Sequence, residues 1–256
     1  MINTHVEFCQ GKQGKLFCIR RTPKNSLGNV IYLQPLFESA NINRHVYTQS
    51  AILNYHECLT SIIYDHYGTG DSDGELTDTN LLLWQQDLIL QIQQIKKQSH
   101  LPIVIVAFSS ASLLLTKAII ELVDHVQLWQ PEFSGKRVVK QLKRISLISG
   151  EKKQKASAEY IEIAGYLMKS NLLEKLGELY FSIEATMLNK LACFDVAEAS
   201  DTPLSPSRQS AVNSLQQLGL YQRIVDHKYW QASELVLPKR FLTATSKALI
   251  RGISHE

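Results

Sequence analysis

The sequence predicts an α/β fold, a mainly parallel sheet flanked by helices, carried by a single domain. Three observations lead there. Apolar runs of strand length alternate with stretches of helical spacing, the pattern of βαβ units. The run at 101–106, Leu-Pro-Ile-Val-Ile-Val, is almost wholly apolar and β-branched, as a strand buried on both faces must be. The chain has 256 residues and 45% hydrophobic content, enough to fill one large core.

The elements follow in order. Residues 16–19 read as a short strand after a turn at Gly11 and Gly14. Residues 29–33 form a second apolar run that Pro35 ends. Residues 45–55 are helical in pattern, 58–64 form a buried strand, and 65–72 a glycine-punctuated loop. Residues 80–97 carry Leu81, Trp84, Leu88, Ile92 and Ile95 on one helical stripe. After the strand at 101–106 come small residues, a helix over 111–123 and a strand at 126–129. Residues 131–190 break the alternation. They are amphipathic, with Leu167, Leu172, Leu173, Leu176 and Leu179 at helical intervals, and predict a helical insertion. Two late strands, 191–197 and 221–226, enclose a polar loop at 200–206 and a helix at 207–218. Open sheets of this class bind ligands at the carboxyl ends of their strands, so the loops after Val106, Ala197 and Val225 are the places to look.

Charge narrows the partners. Charged residues make up 20% and the net charge is +3, too mild for a nucleic-acid binder. Cys9, Cys18, Cys58 and Cys193 show no Cys-x-x-Cys spacing, so neither a metal site nor a cofactor is expected. Cys9 and Cys18 could face each other on a hairpin, but free thiols are expected. Residues 1–15 lack the apolar core of a signal peptide, and no run approaches the length of a transmembrane segment. The expectation is a soluble, cytoplasmic, reduced protein.

Candidate chemistry centres on Ala107-Phe108-Ser109-Ser110-Ala111, a strand, a sharp turn and a helix with serine at the apex. Such a turn holds the serine in a strained conformation and needs small residues two places to either side. Alanine stands at both, where glycine is usual. Ser109 is then the candidate nucleophile, and the backbone amide of Ser110 faces the developing oxyanion. The alternative is that Ser109, Ser110 and Ser112 merely cap the following helix. A nucleophilic serine needs a base and an orienting acid. His227 directly follows the last strand; Asp201 lies in the loop after 191–197, and Glu198 at that strand's end is the nearer alternative. Plainer readings are an exposed turn histidine and a simple Asx turn. A second oxyanion donor is expected from the loop 34–41, with the Phe37 amide as candidate. Glu38 beside it would oppose an oxyanion unless Arg44 or another cation pairs with it.

Asp65-His66-Tyr67-Gly68-Thr69-Gly70-Asp71-Ser72 resembles the D-x-x-G-x-G-x-S loop of α/β hydrolases. More narrowly, the chain resembles the exosortase A system-associated hydrolase 2 family. The matching stretches are 35–44, Leu128-Trp129-Gln130-Pro131 with Ser134-Gly135-Lys136, 161–166 and 229–235. The resemblance spans most of the chain. It implies an α/β-hydrolase fold and a setting near bacterial exopolysaccharide synthesis and the sorting of PEP-CTERM proteins, whose pathway proteins are then possible partners; it names no substrate. Members of that family often lack the serine and the histidine that stand here as Ser109 and His227.

In hydrolases of this shape a segment placed like 131–190 forms a lid, so the whole of 1–256 reads as one domain with a helical lid insertion. A basic run opens it: Lys136, Arg137, Lys140, Lys143, Arg144, Lys152, Lys153 and Lys155. It reads either as an attractor for an anionic group or membrane surface, or as a solvated helix face. Ser134-Gly135-Lys136 offers a weak anion nest. Trp129 and Trp230 either line the pocket or pack in the core. Two functions stay open: a serine hydrolase or acyl transferase acting on a small-molecule or carrier-linked ester or thioester, and a non-catalytic relative that binds a carrier, glycan intermediate or partner protein.

Overall fold

A computed structural model describes residues 2–148, 159–231 and 234–254. The basic residues Lys152, Lys153 and Lys155, and Ala232 and Ser233 of the C-terminal matching stretch, lie outside the described residues.

The main sheet has eight strands: β1 Thr4–Gln10, β2 Lys15–Arg21, β3 Gly28–Leu33, β4 Leu59–Tyr64, β5 Ile103–Phe108, β6 His125–Trp129, β9 Leu191–Ala197 and β10 Tyr221–Val225. Their order is β1-β2-β4-β3-β5-β6-β9-β10. The β1–β2 and β2–β4 pairs are antiparallel and every later pair is parallel. β3 and β5 are buried along their whole length, as central parallel strands require.

Period-two alternation sorts these strands between two layers. Ile31, Leu33, Ile105 and Ala107 face a core shared with α2 (Leu81–Gln98) through Leu88 and Ile92. Val30, Tyr32, Val104 and Val106 face the other way, onto α1 (Glu38–His56) and α7 (Lys239–Ser254) through Val46, Phe241 and Leu249. Asn80 caps α2, its side chain accepting from the Leu83 amide at 2.9 Å. The fold positions the carboxyl ends of β3, β5, β6, β9 and β10 along one edge of the molecule, where the loops carry the candidate chemistry.

Several elements differ from the sequence reading. β1 extends the first hairpin, with Glu7 opposite Cys18 and Cys9 opposite Leu16. The helix expected over 111–123 is instead a 3-10 segment, Ser109–Leu114, followed by a five-residue helix, α3 (Lys117–Glu121), with Thr116 as its cap. Ser112 accounts for the break. Its hydroxyl lies 2.8 Å from the Ser109 carbonyl and 2.6 Å from that of Glu132, a local bonding option that competes with a regular helix. Residues 131–190 are only partly helical. They hold α4 (Gly135–Ile148), α5 (Ser170–Glu178), a 3-10 segment Ala185–Lys190, and an antiparallel hairpin of β7 (Tyr160–Ile163) and β8 (Tyr166–Lys169). Ala164 and Gly165 turn that hairpin with φ of 53° and 76°, the paired positive values of a tight hairpin turn. Leu167 therefore sits on a strand, while Leu172, Leu173 and Leu176 are buried on α5 as the spacing predicts. Completing the layers are α6 (Pro206–Gln217), with Pro206 in its first turn, and α7, which follows the last element the sequence predicts. No helix of the described residues is long and apolar enough to cross a membrane.

Candidate active site

Strand β5 ends at Phe108 in extended conformation, and Ser109 then turns the chain with a φ of +50°. For a residue with a Cβ this left-handed state costs about 1–2 kcal/mol. Ala107 and Ala111 are fully buried on either side, so the close approach is met with alanine. The Ser109 carbonyl accepts from the Glu132 amide at 2.9 Å, which fixes the backbone of the turn. Its hydroxyl has no hydrogen-bond partner among the described residues. Ser110 is committed elsewhere: its buried Oγ accepts from the Leu36 amide at 2.8 Å and ties the turn to the loop after β3. None of the three seryl hydroxyls caps the 3-10 segment, so capping does not account for the serine cluster.

Ser109 opens into a cavity of about 810 Å³. Phe108, Asn43 and Gln130 line it with Trp230, and one face of α4 forms a wall. Trp230 stands edge-on to Tyr229 with centroids 5.0 Å apart, whereas Trp129 is fully buried, its indole N–H donating to Gln127 at 3.0 Å; the two tryptophans thus divide between pocket and core. Gln130 is held at a φ of 49°, its Oε1 accepting from the Val196 amide at 2.8 Å.

The other candidate residues are dispersed around this cavity. His227 is exposed and shares a neighbouring depression with Glu198, Asp226, Lys228 and Arg240. Its amide donates to Asp226 Oδ1 at 2.8 Å, and its imidazole has no hydrogen-bond partner among the described residues. Lys228, which lines both depressions, pairs with Glu198 at 3.2 Å. Of the two acids, then, Glu198 lies with His227. Asp201 belongs to a third depression with Tyr221 and Arg223. Phe37, with a φ of 60°, lines a separate cavity of about 560 Å³ and packs its ring 5.5 Å from that of Tyr166. Glu38 accepts from the Tyr166 hydroxyl at 3.1 Å, whose pKa burial and this carboxylate push up to about 12. Arg44 does not pair with Glu38; it is drawn to the buried carboxylate of Asp65 at 2.8 Å, which has the greater need of a counter-charge.

The chain has the α/β-hydrolase fold. Est1E of Butyrivibrio proteoclasticus, solved with ferulic acid bound, superposes with a TM-score of 0.64 over 97% of this chain and 99% of that one, at 15% identity. An α/β serine hydrolase without a lid from Xanthomonas campestris gives 0.58 over 99% and 94%, at 14% identity. A hyperthermophilic esterase from Pyrobaculum calidifontis gives 0.54 over 99% and 83%, at 12% identity. No protein-family model matches the sequence, and no curated protein matches it.

Two side chains at the site went unread in the sequence. Arg208 lines the Ser109 cavity, is clamped in a double contact by the buried Asp195 and reaches the Pro131 carbonyl. The signal was Asp195 itself, a charge in the otherwise apolar strand 191–197, which implies a buried partner. Asn43 lines the same cavity; its Nδ2 donates to the Ser39 carbonyl at 2.6 Å, and its Oδ1 has no partner among the described residues. As for metals, Glu7, Cys9 and Cys18 bring three donor atoms within 4.8 Å of one another on the β1–β2 hairpin, a convergence that linear spacing conceals. Glu7 is held there by Arg20 at 2.9 Å, and the hairpin lies at the sheet edge, with β4 and β3 between it and β5.

Proposed function

We propose that the protein is a serine hydrolase of esterase or thioesterase type, with Ser109 as nucleophile. The observation that carries this reading is the strained serine at the end of the central strand, its hydroxyl without a partner among the described residues and opening into a cavity. Backbone strain at a non-glycine residue clusters at functional positions. In the proposed reaction Ser109 Oγ bonds to the substrate's carbonyl carbon while His227 takes its proton. The leaving oxygen or sulfur departs with that proton, and water then releases the acid by the same steps in reverse order. Glu198 orients His227, with Asp201 as the second candidate. The amides of Ser110 and Phe37 are the proposed oxyanion donors. The imidazole must turn inward past Lys228 to reach Ser109; catalytic hydrogen bonds are often unmade until substrate binds. An acceptor other than water would turn the same chemistry into acyl transfer. The resemblance to exosortase-associated hydrolases suggests a setting in exopolysaccharide synthesis or PEP-CTERM sorting.

The separation of Ser109 and His227 favours a second reading, a non-catalytic relative that binds a carrier, glycan intermediate or partner protein. A fluorophosphonate probe separates the two. Labelling of the wild type, abolished in Ser109→Ala and slowed at least a hundredfold in His227→Ala, is the result expected of a hydrolase. Folded wild type that takes no label establishes the binder.

A further inference from the structure

The basic residues at the start of the insertion acquire a role from their position in the fold. Arg137, Lys140, Gln141, Arg144, Ile145 and Ile148 all line the Ser109 cavity. Their spacing is that of a single helix stripe. The opposite side of α4 is anchored, with Leu142 buried and Val138 and Val139 packed against the core. The orientation of the stripe is therefore fixed by packing.

Three of the five cations lining the cavity are already matched. Arg208 is held by Asp195, Arg137 lies 3.3 Å from Glu132, and Lys228 lies 3.2 Å from Glu198. Lys140 and Arg144 have no ion pair among the described residues, and Glu132, the one carboxylate among the described lining residues, is taken. Like charges four residues apart on a helix repel and cost a few tenths of a kcal/mol. Beyond Arg144 the stripe turns apolar at Ile145 and Ile148, and Trp230 is apolar lining as well.

We infer that this cavity receives an acyl ester or thioester whose non-acyl half carries a phosphate group. Lys140 and Arg144 together bind the phosphate, and the apolar end of α4 with Trp230 takes the acyl chain. A phosphate dianion matches two adjacent cations in charge and offers enough oxygens to bond both. The inference rests on the hydrolase reading for the fate of the ester, but the phosphate site itself does not.

Coenzyme A and phosphatidic acid in neutral detergent micelles present this group on a soluble carrier and on a lipid. The test measures calorimetric binding of each to wild type, Ser109→Ala, Lys140→Glu/Arg144→Glu and the milder Lys140→Gln/Arg144→Gln. Expected is binding of at least one ligand by wild type and Ser109→Ala, weakened about tenfold by the charge reversal, less by the glutamines, and weakened by added salt. Which ligand binds assigns the source of the phosphate. In turnover, the charge reversal should raise KM for butyryl-coenzyme A about tenfold more than for 4-nitrophenyl butyrate. Failure of wild type to bind either ligand, or equal binding by the variants, overturns the inference even where Ser109 labels and neutral esters are cleaved. Charge-dependent binding by a protein that never labels would sink the hydrolase reading alone.

Discussion

Two of the cavities at the carboxyl ends of the central strands are built on opposite terms. In the smaller, around Asp65, the charges are spent internally. Asp65 accepts from Gln34 and Arg44, each at 2.8 Å, and from the Asp71 amide at 3.1 Å. Ser72 donates to the Asp65 carbonyl at 2.7 Å and accepts from the Phe17 amide at 2.9 Å. Gly70, at a φ of 57°, leaves room for that carboxylate: a Cβ there would come within 2.0 Å of Asp65 Oδ2. In the larger cavity the Ser109 hydroxyl, Asn43 Oδ1, Lys140 and Arg144 are left without partners among the described residues. The most specific motif in the sequence, D-x-x-G-x-G-x-S, thus acts as a latch between loop and sheet. The proposed chemistry lies in a plainer stretch, distinguished by a backbone angle and by the helix set opposite it.

Asp65→Ala gives the largest expected effect. It removes three hydrogen bonds and strands the Arg44 guanidinium, and should lower unfolding free energy by about 3–5 kcal/mol in urea denaturation. Fluorophosphonate labelling of the fraction that remains folded should persist. Loss of labelling without loss of stability would mean that the two cavities are not the separate devices described above.

The converse holds at the turn. Ser109→Gly should raise stability by about 1 kcal/mol, a Tm gain of about 2–4 °C, because glycine adopts a positive φ without penalty. Ser109→Ala, which keeps the Cβ and so the strain, should show no comparable gain. If the two variants melt together, Ser109 stores no strain and the main support for the nucleophile disappears.

This contrast also marks what the sequence could convey. β9 was legible to the residue because its run is apolar but for Asp195 and so belongs between two other strands. The turn at Ser109 was legible because strand, small residues and serine occur in register. The break after it was not, since it depends on the Ser112 hydroxyl meeting Glu132, twenty positions away. The β7–β8 hairpin escaped because only two paired positions at Ala164 and Gly165 separate it from a helical reading of the leucines around it. α7 did carry a signal: Phe241, Leu242, Leu249 and Ile253 repeat at helical spacing and are buried against the sheet. Chain order placed Ser109, Glu198, Asp201 and His227 in the expected succession, but three loop conformations decide which depression each one faces, and order along the chain does not encode those.

The smallest expected effect is a pH slope, and it too sets the latch against the turn. His66 is buried at the wall of the smaller cavity, its ring centroid 5.3 Å from that of Trp84 and its Nε2 3.2 Å from the Gln34 carbonyl. Nδ1 has no partner among the described residues. Burial lowers its pKa, against the opposing pull of the Gln34 carbonyl and the Asp65 charge. The folded state therefore binds this proton less readily than the unfolded chain. The stability tied to neutral His66 is complete above the unfolded value near 6.5 and is lost as pH falls below it, by at most about 1.4 kcal/mol per pH unit. His125, also depressed by burial, contributes with the same sign. Between about pH 5 and 6.5, His66→Gln should flatten the stability profile relative to wild type, and a second substitution at His125 should flatten it further. Ser109 variants should leave that profile unchanged in shape, since neither His66 nor His125 is bonded to the turn among the described residues. A profile that flattens in Ser109→Gly and not in His66→Gln would reverse the assignment, making the turn, rather than the latch, the acid-sensitive part of the fold.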